Sequence, residues 1–197
     1  LFWYTKNMKD IEIELQVRVE NVTPLTNFLE SDAKYIGEYT QLDEYLSPAH
    51  RDFAGKKPIE EWLRIRSSKE SSVTYKKFHY DASGRSNYCD EFETGISDPA
   101  QFKKILDAID YTVVVSVDKT RKIYRYYDYE VAIDKVKHQG DFVEIEYKGP
   151  DRGLSPDSII KSMTQFLKDL NCGKLERNFR GYAYTALYPD EHVLEEI

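Results

Sequence analysis

Residues 11–19, IEIELQVRV, alternate without a break. Ile11, Ile13, Leu15, Val17 and Val19 fall on one side, and Glu12, Glu14, Gln16 and Arg18 on the other. A two-residue period is that of a strand with one apolar and one polar face. Comparable runs predict further strands at 34–46, 59–67, 72–80, 85–96, 111–126, 128–137 and 141–147, with a loop at 47–58 and turns at 81–85 and 138–141. Three windows switch to a helical period. Thr23 as N-cap and Pro24 as first helical residue open a short helix carrying Leu25, Phe28 and Leu29. Asp98 and Pro99 open a second through residue 109, and Ser155 and Pro156 a third that stops near Cys172 and Gly173. A tyrosine-rich tail ends the chain. About eight strands arranged in hairpins, with three helices, predict an α+β fold: a mainly antiparallel sheet with helices packed outside.

Composition narrows the class. A chain of 197 residues suits a single domain, expected over 8–197, with residues 1–7 as a leader or tag before Met8. Charged residues make up 32% and no apolar run reaches membrane-spanning length, so no membrane partner is expected. The net charge of -7 gives no global positive field, so no nucleic-acid partner is expected either. Cys89 and Cys172 stand apart without a zinc-like spacing, which fits a reducing, cytoplasmic location.

Charge is what makes the strands unusual. Arg64 and Arg66 share a face, as do Lys119 and Arg121, Glu91 and Glu93, and Glu144 and Glu146. Each pair alone fits a solvated strand face. As a set, acidic pairs on the first and last long strands flank basic pairs between them. If the sheet curls into a closed barrel, helices must cover its apolar outside, and the charged face becomes a lumen. Buried charge needs a partner, and a polyphosphate bridged to Mg²⁺ or Mn²⁺ would pair with both signs.

These residues resemble the CYTH superfamily of triphosphate tunnel metalloenzymes, in particular the class IV adenylyl cyclase type. The resemblance runs through residues 9–150: the acidic opening at Glu12 and Glu14, LRIR at 63–66, TYK at 74–76, DKTR at 118–121, AIDKV at 132–136 and GDFVEIE at 140–146. RGYAYTALY, at 180–188, is a looser match to the family's closing segment. The resemblance implies an eight-stranded antiparallel tunnel that holds a triphosphate with divalent metal. It implies Glu12, Glu14, Glu144 and Glu146 as metal ligands, and Arg64, Arg66, Lys76, Lys119 and Arg121 as a phosphate cradle. Asp134 would be a site acid positioning a neighbour or the metal. One departure stands out: Gln16 replaces the lysine of the family's opening motif, while Arg18, expected as a further triphosphate-binding cation, points to the same face two residues on.

Other readings stay beside these. Lys76 is either a surface lysine or a member of the lumen, where it could act as a general base if nearby cations lowered its pKa. Glu91 and Glu93 are either site acids or rim acids neutralising Arg85. The four histidines show no metal or triad spacing, and the 16 tyrosines suit packing. No P-loop or G-x-S-x-G motif occurs. The expected activity is metal-dependent triphosphate hydrolysis on a small-molecule substrate. A class IV adenylyl cyclase and a non-catalytic triphosphate-binding domain are the alternatives, and a homodimer is compatible with either.

Overall fold

The alternating segment forms two strands, β1 (Ile11–Glu12) and β2 (Glu14–Val19), separated at Ile13. The computed structural model describes residues 11–82, 84, 86–150 and 152–197, apart from the side chains of Ile11 and Asn87. The expected leader at 1–7, Met8 and Arg85 lie outside the described residues. Helix α1 (Thr23–Asp32) leads to β3 (Lys34–Pro48), β4 (Glu61–Ser67), β5 (Ser72–Tyr80) and β6 (Ser86–Gly95). Helix α2 (Pro99–Ala108) precedes β7 (Tyr111–Tyr126), β8 (Tyr129–Val136) and β9 (Gly140–Tyr147). Helix α3 (Pro156–Asp169), β10 (Leu175–Asn178), α4 (Gly181–Leu187) and β11 (Leu194–Glu196) complete the chain.

The strands form one antiparallel sheet in the order β1-β6-β5-β4-β3-β7-β8-β9-β2-β10-β11. The expected closed barrel of about eight strands is therefore corrected to an eleven-stranded sheet that does not close. The reason lies in how β2 uses its two edges. One edge pairs with β9, while the other is taken by β10, with Leu175 opposite Val19 and Arg177 opposite Val17. Only Ile11 and Glu12, just before β2, reach β6, opposite Asp90 and Cys89.

Two of the three expected caps form as expected. The Asp98 side chain accepts from the Gln101 N–H at 2.9 Å and the Ser155 side chain from the Ser158 N–H at 3.2 Å. At α1 the expectation is corrected. Thr23 is the first helical residue, Val22 stands at the cap without a side-chain bond, and Asn21 accepts from the Thr23 N–H at 3.0 Å. The tail was not resolved into elements by the sequence pattern, because β10, α4 and β11 are each too short to show a period.

The core lies outside the curved sheet. Leu15 and Val17 of β2, Val131 of β8 and Ile145 of β9 pack in one cluster with Leu29 of α1 and Leu167 of α3. A second cluster joins Leu106 of α2 to Leu46 and Ile65. Because strand side chains alternate, burying the apolar set beneath helices turns the polar set to the concave side. Helix α4 closes on that side: Tyr182 meets Phe142 edge-on at 5.1 Å, and Ala183 and Tyr184 cluster with Ile59 and Trp62.

Candidate active site

Polar faces from β1 to β9 and residues of α4 line a concave cavity of ≈ 200 Å³. Its basic wall comes from β4 and β7, and register explains its order. Asp43 of β3 stands directly opposite Arg66, and Arg121 of β7 directly opposite Asp134 of β8. Arg66 donates through Nε and Nη2 to the two Asp43 oxygens, both at 2.7 Å. Arg121 grips Asp134 the same way, at 2.8 and 2.6 Å. The Asp134 carboxylate also accepts from the Tyr182 hydroxyl at 2.9 Å. Two-point pairing fixes the plane of each guanidinium and leaves its remaining N–H groups for other acceptors. Lys119 lies between the two forks, 3.8 Å from Asp43 and 3.6 Å from Asp134.

The electrostatics follow from these contacts. Burial would raise the Asp43 carboxyl, but the cations Arg64, Arg66 and Lys119 outweigh it and hold the group far below the carboxylate range. Lys119 is pushed down to about 8, first by burial and then by the charge of Arg121. Asp134 is fully buried behind the wall and does not line the cavity, so it positions Arg121 and Tyr182.

The opposite wall is acidic. Carboxylate oxygens of Glu12, Glu91 and Glu146, from three strands, lie within 4.8 Å of one another. Lys76, on β5 directly opposite Glu91, pairs with Glu12 and lies 3.6 Å from Glu91. The Cys89 thiol donates to Glu12 at 3.2 Å. Burial tends to raise Glu12, yet the Lys76 ammonium prevails and lowers it. Glu146 is pushed up to about 7 by burial and by the Glu12 charge, and Glu14 is raised well above its usual range for the same two reasons. A crowd of hard oxygen donors with surplus negative charge suits a divalent cation, so the donor set fits a metal.

Of the residues expected at the site, Glu12, Glu14, Arg64, Arg66, Lys76, Lys119, Arg121, Glu144 and Glu146 all line the cavity. Glu144 does so without being one of the three converging carboxylates, bound by Arg121 at 2.8 Å and by the Gln16 amide N–H at 2.9 Å. Arg18 goes elsewhere: it donates to the Gln139 carbonyl at 3.0 Å and lies over the Phe142 ring at 5.1 Å. Lys76 does not meet the condition for a base, because its neighbours are carboxylates that raise its pKa rather than cations that would lower it. Glu91, open between site and rim, belongs to the acidic cluster. Glu93 accepts from Thr74 at 2.6 Å and Arg64 at 3.3 Å. Sequence reasoning missed Asp43, Gln41, Lys148 and Arg180. The alternation of Gln41, Asp43 and Tyr45 was the one available signal for the first two.

Comparison with known proteins gives the family. The CYTH domain model matches residues 10–174, so the chain belongs to the CYTH domain family. A Methanocaldococcus jannaschii protein named as a candidate adenylate cyclase is 30% identical over 166 residues, covering 83% of this chain and 91% of its own. Among solved structures, a Pyrococcus horikoshii protein superposes with a TM-score of 0.72 at 23% identity, covering 92% of this chain and 99% of its own. A Hippeastrum candidate adenylyl cyclase, described as having a dominant triphosphatase activity, has a TM-score of 0.61 at 16% identity, covering 92% and 97%. These last two likenesses concern the fold.

Proposed function

We propose that this CYTH-domain protein hydrolyses a small-molecule triphosphate in its charged cavity with Mg²⁺ or Mn²⁺ as cofactor. One observation carries the reading: a wall of Arg64, Arg66, Lys119 and Arg121 faces a convergence of Glu12, Glu91 and Glu146 across a single cavity. Phosphoryl transfer needs in-line placement and cancellation of oxyanion charge more than covalent help. The basic wall supplies both, with forks held by Asp43 and Asp134 so that little reorganisation accompanies the reaction. Glu12, Glu91 and Glu146 would hold the metal, with Glu14 beside them. A bound divalent ion lowers the pKa of water and shields phosphate charge. Lys76, kept protonated by its carboxylates, keeps a positive charge at the edge of the acidic cluster. The active domain is proposed to span 8–197. A cytoplasmic location is part of the proposal, on the two well-separated cysteines; among the described residues no helix is long and apolar enough to cross a membrane.

A second reading, cyclisation of ATP by attack of its 3'-hydroxyl, is favoured by the M. jannaschii relative's name. Incubation with tripolyphosphate, thiamine triphosphate or ATP plus Mg²⁺ or Mn²⁺ separates the possibilities. Orthophosphate release is the expected result. Cyclic AMP with pyrophosphate would replace the first reading by the second, and tight binding without product would leave a binding domain.

A further inference from the structure

Gln16 of β2 stands directly opposite Glu144 of β9, next along the same face from the Glu14–Glu146 pair. This seam therefore runs from the acidic side of the cavity to Arg121, which binds Glu144 at 2.8 Å. Gln16 lines the cavity and is only 6% exposed. Its Nε2 donates to Glu144 at 2.9 Å, while its Oε1 is buried without a hydrogen-bond partner. The bond to Glu144 settles which end of the amide is which. A carboxylate paired with a guanidinium can only accept, so Gln16 must turn its nitrogen toward Glu144 and its oxygen away. The same cavity holds a second unpartnered amide oxygen, Oε1 of Gln41, on a buried side chain of β3 directly opposite Lys119.

A buried acceptor without a donor is costly. A triphosphate chain does not relieve that cost here, because among the cations of the basic wall it is held ionised and its oxygens only accept. A lysine at this place would meet those oxygens; a carboxamide anchored on Glu144 offers them nothing. We propose that Gln16 is a specificity-determining residue whose Oε1 accepts from a neutral donor, a hydroxyl or an N–H, on the organic group esterified to the triphosphate. The cavity thereby distinguishes a triphosphate ester from inorganic tripolyphosphate, which brings no such donor to the wall. The inference rests on the triphosphate reading above and narrows its substrate class.

Titration calorimetry in chelator tests this on the wild type, Q16M and Q16K, with ATP, 2',3'-dideoxy-ATP, thiamine triphosphate and tripolyphosphate. The readout is each ester's affinity divided by that of tripolyphosphate, since a general disturbance of Glu144 and Arg121 weakens all four ligands and leaves the ratio in place. In Q16M the ratio is expected to fall about tenfold, as for one lost hydrogen bond to a buried group. Q16K is expected to lower it at least as far, because its ammonium donates to phosphate oxygens. A fall for ATP but not for dideoxy-ATP supports the inference with a sugar hydroxyl as the donor; a fall for dideoxy-ATP or thiamine triphosphate supports it with an N–H. Melting curves report whether each variant is folded, and if Q16M is not, Q16K decides. Ratios that hold for all three esters overturn the inference and leave the triphosphate reading standing. Absence of binding of all four ligands by the wild type overturns that reading and this inference with it.

Discussion

Asp43 and Arg66 face each other across β3 and β4 and are joined by two hydrogen bonds of 2.7 Å, with the Asp43 side chain only 1% exposed. The pair sets the plane of a guanidinium on the cavity wall. Asp43→Asn keeps the shape but removes the charge and one acceptor. Breaking a buried pair costs roughly 3–5 kcal/mol, so the variant is expected to lose stability on that order in urea unfolding and to raise KM for the triphosphate more than it lowers kcat. An unchanged KM in a folded variant would remove Asp43 from the positioning of the wall.

The Glu146 carboxyl is raised to about 7 by burial and by Glu12, above its unfolded value of about 4.3. The folded state therefore binds more protons than the unfolded one between those values, and stability from this group falls as pH rises through about 7. Without divalent metal, Glu146→Gln is expected to flatten the fall in melting temperature between pH 5 and pH 8. Mn²⁺ should raise the wild-type melting temperature more at pH 8 than at pH 5, because protons compete for the same oxygens. A pH-independent Mn²⁺ effect would count against the acidic cluster as the binding locus.

Lys119, held near 8 by burial and Arg121, is the lining lysine whose charge changes closest to neutrality. Tripolyphosphate affinity is expected to fall as pH rises past that value. In Lys119→Met the limb between pH 7 and 9 should vanish, with binding weaker throughout. Calorimetry across that range checks it; a pH limb that survives in the variant belongs to another group.

Leu167 of α3 is fully buried in the cluster that seals the outer face of β2 and β9. Truncation to alanine is expected to cost about 2–5 kcal/mol by transfer and cavity terms together. The cavity lies on the opposite face of the sheet, so KM should hold under conditions where the variant remains folded. A large change in KM would mean the outer core controls the geometry of the wall.

Much of this was legible along the chain. Strand alternation assigned Glu12 and Glu14, Arg64 and Arg66, and Lys119 and Arg121 to one face, and Asp98 and Ser155 announced two helix starts. Arg18 shows where that logic runs out: it keeps the alternation of β2 but falls beyond the cavity, on Phe142. Asp43 looked like an ordinary polar strand residue until Arg66 stood opposite it. Arg180 sat in a tail too irregular for any period to read.

The sequence alone determined which side chains share a face, because the two-residue period of a strand is local and does not depend on its neighbours. It also settled that the apolar face must be covered by helices. Only the tertiary structure decided which charges meet: Glu144 joined Arg121 and Gln16, while Glu91 joined Glu12 and Glu146. Those partnerships depend on cross-strand register and sheet curvature, which are fixed by contacts between residues as far apart as Gln16 and Glu144, 128 positions along the chain. The same contacts leave the sheet open, since β10 took the edge of β2 that a closed barrel would have needed.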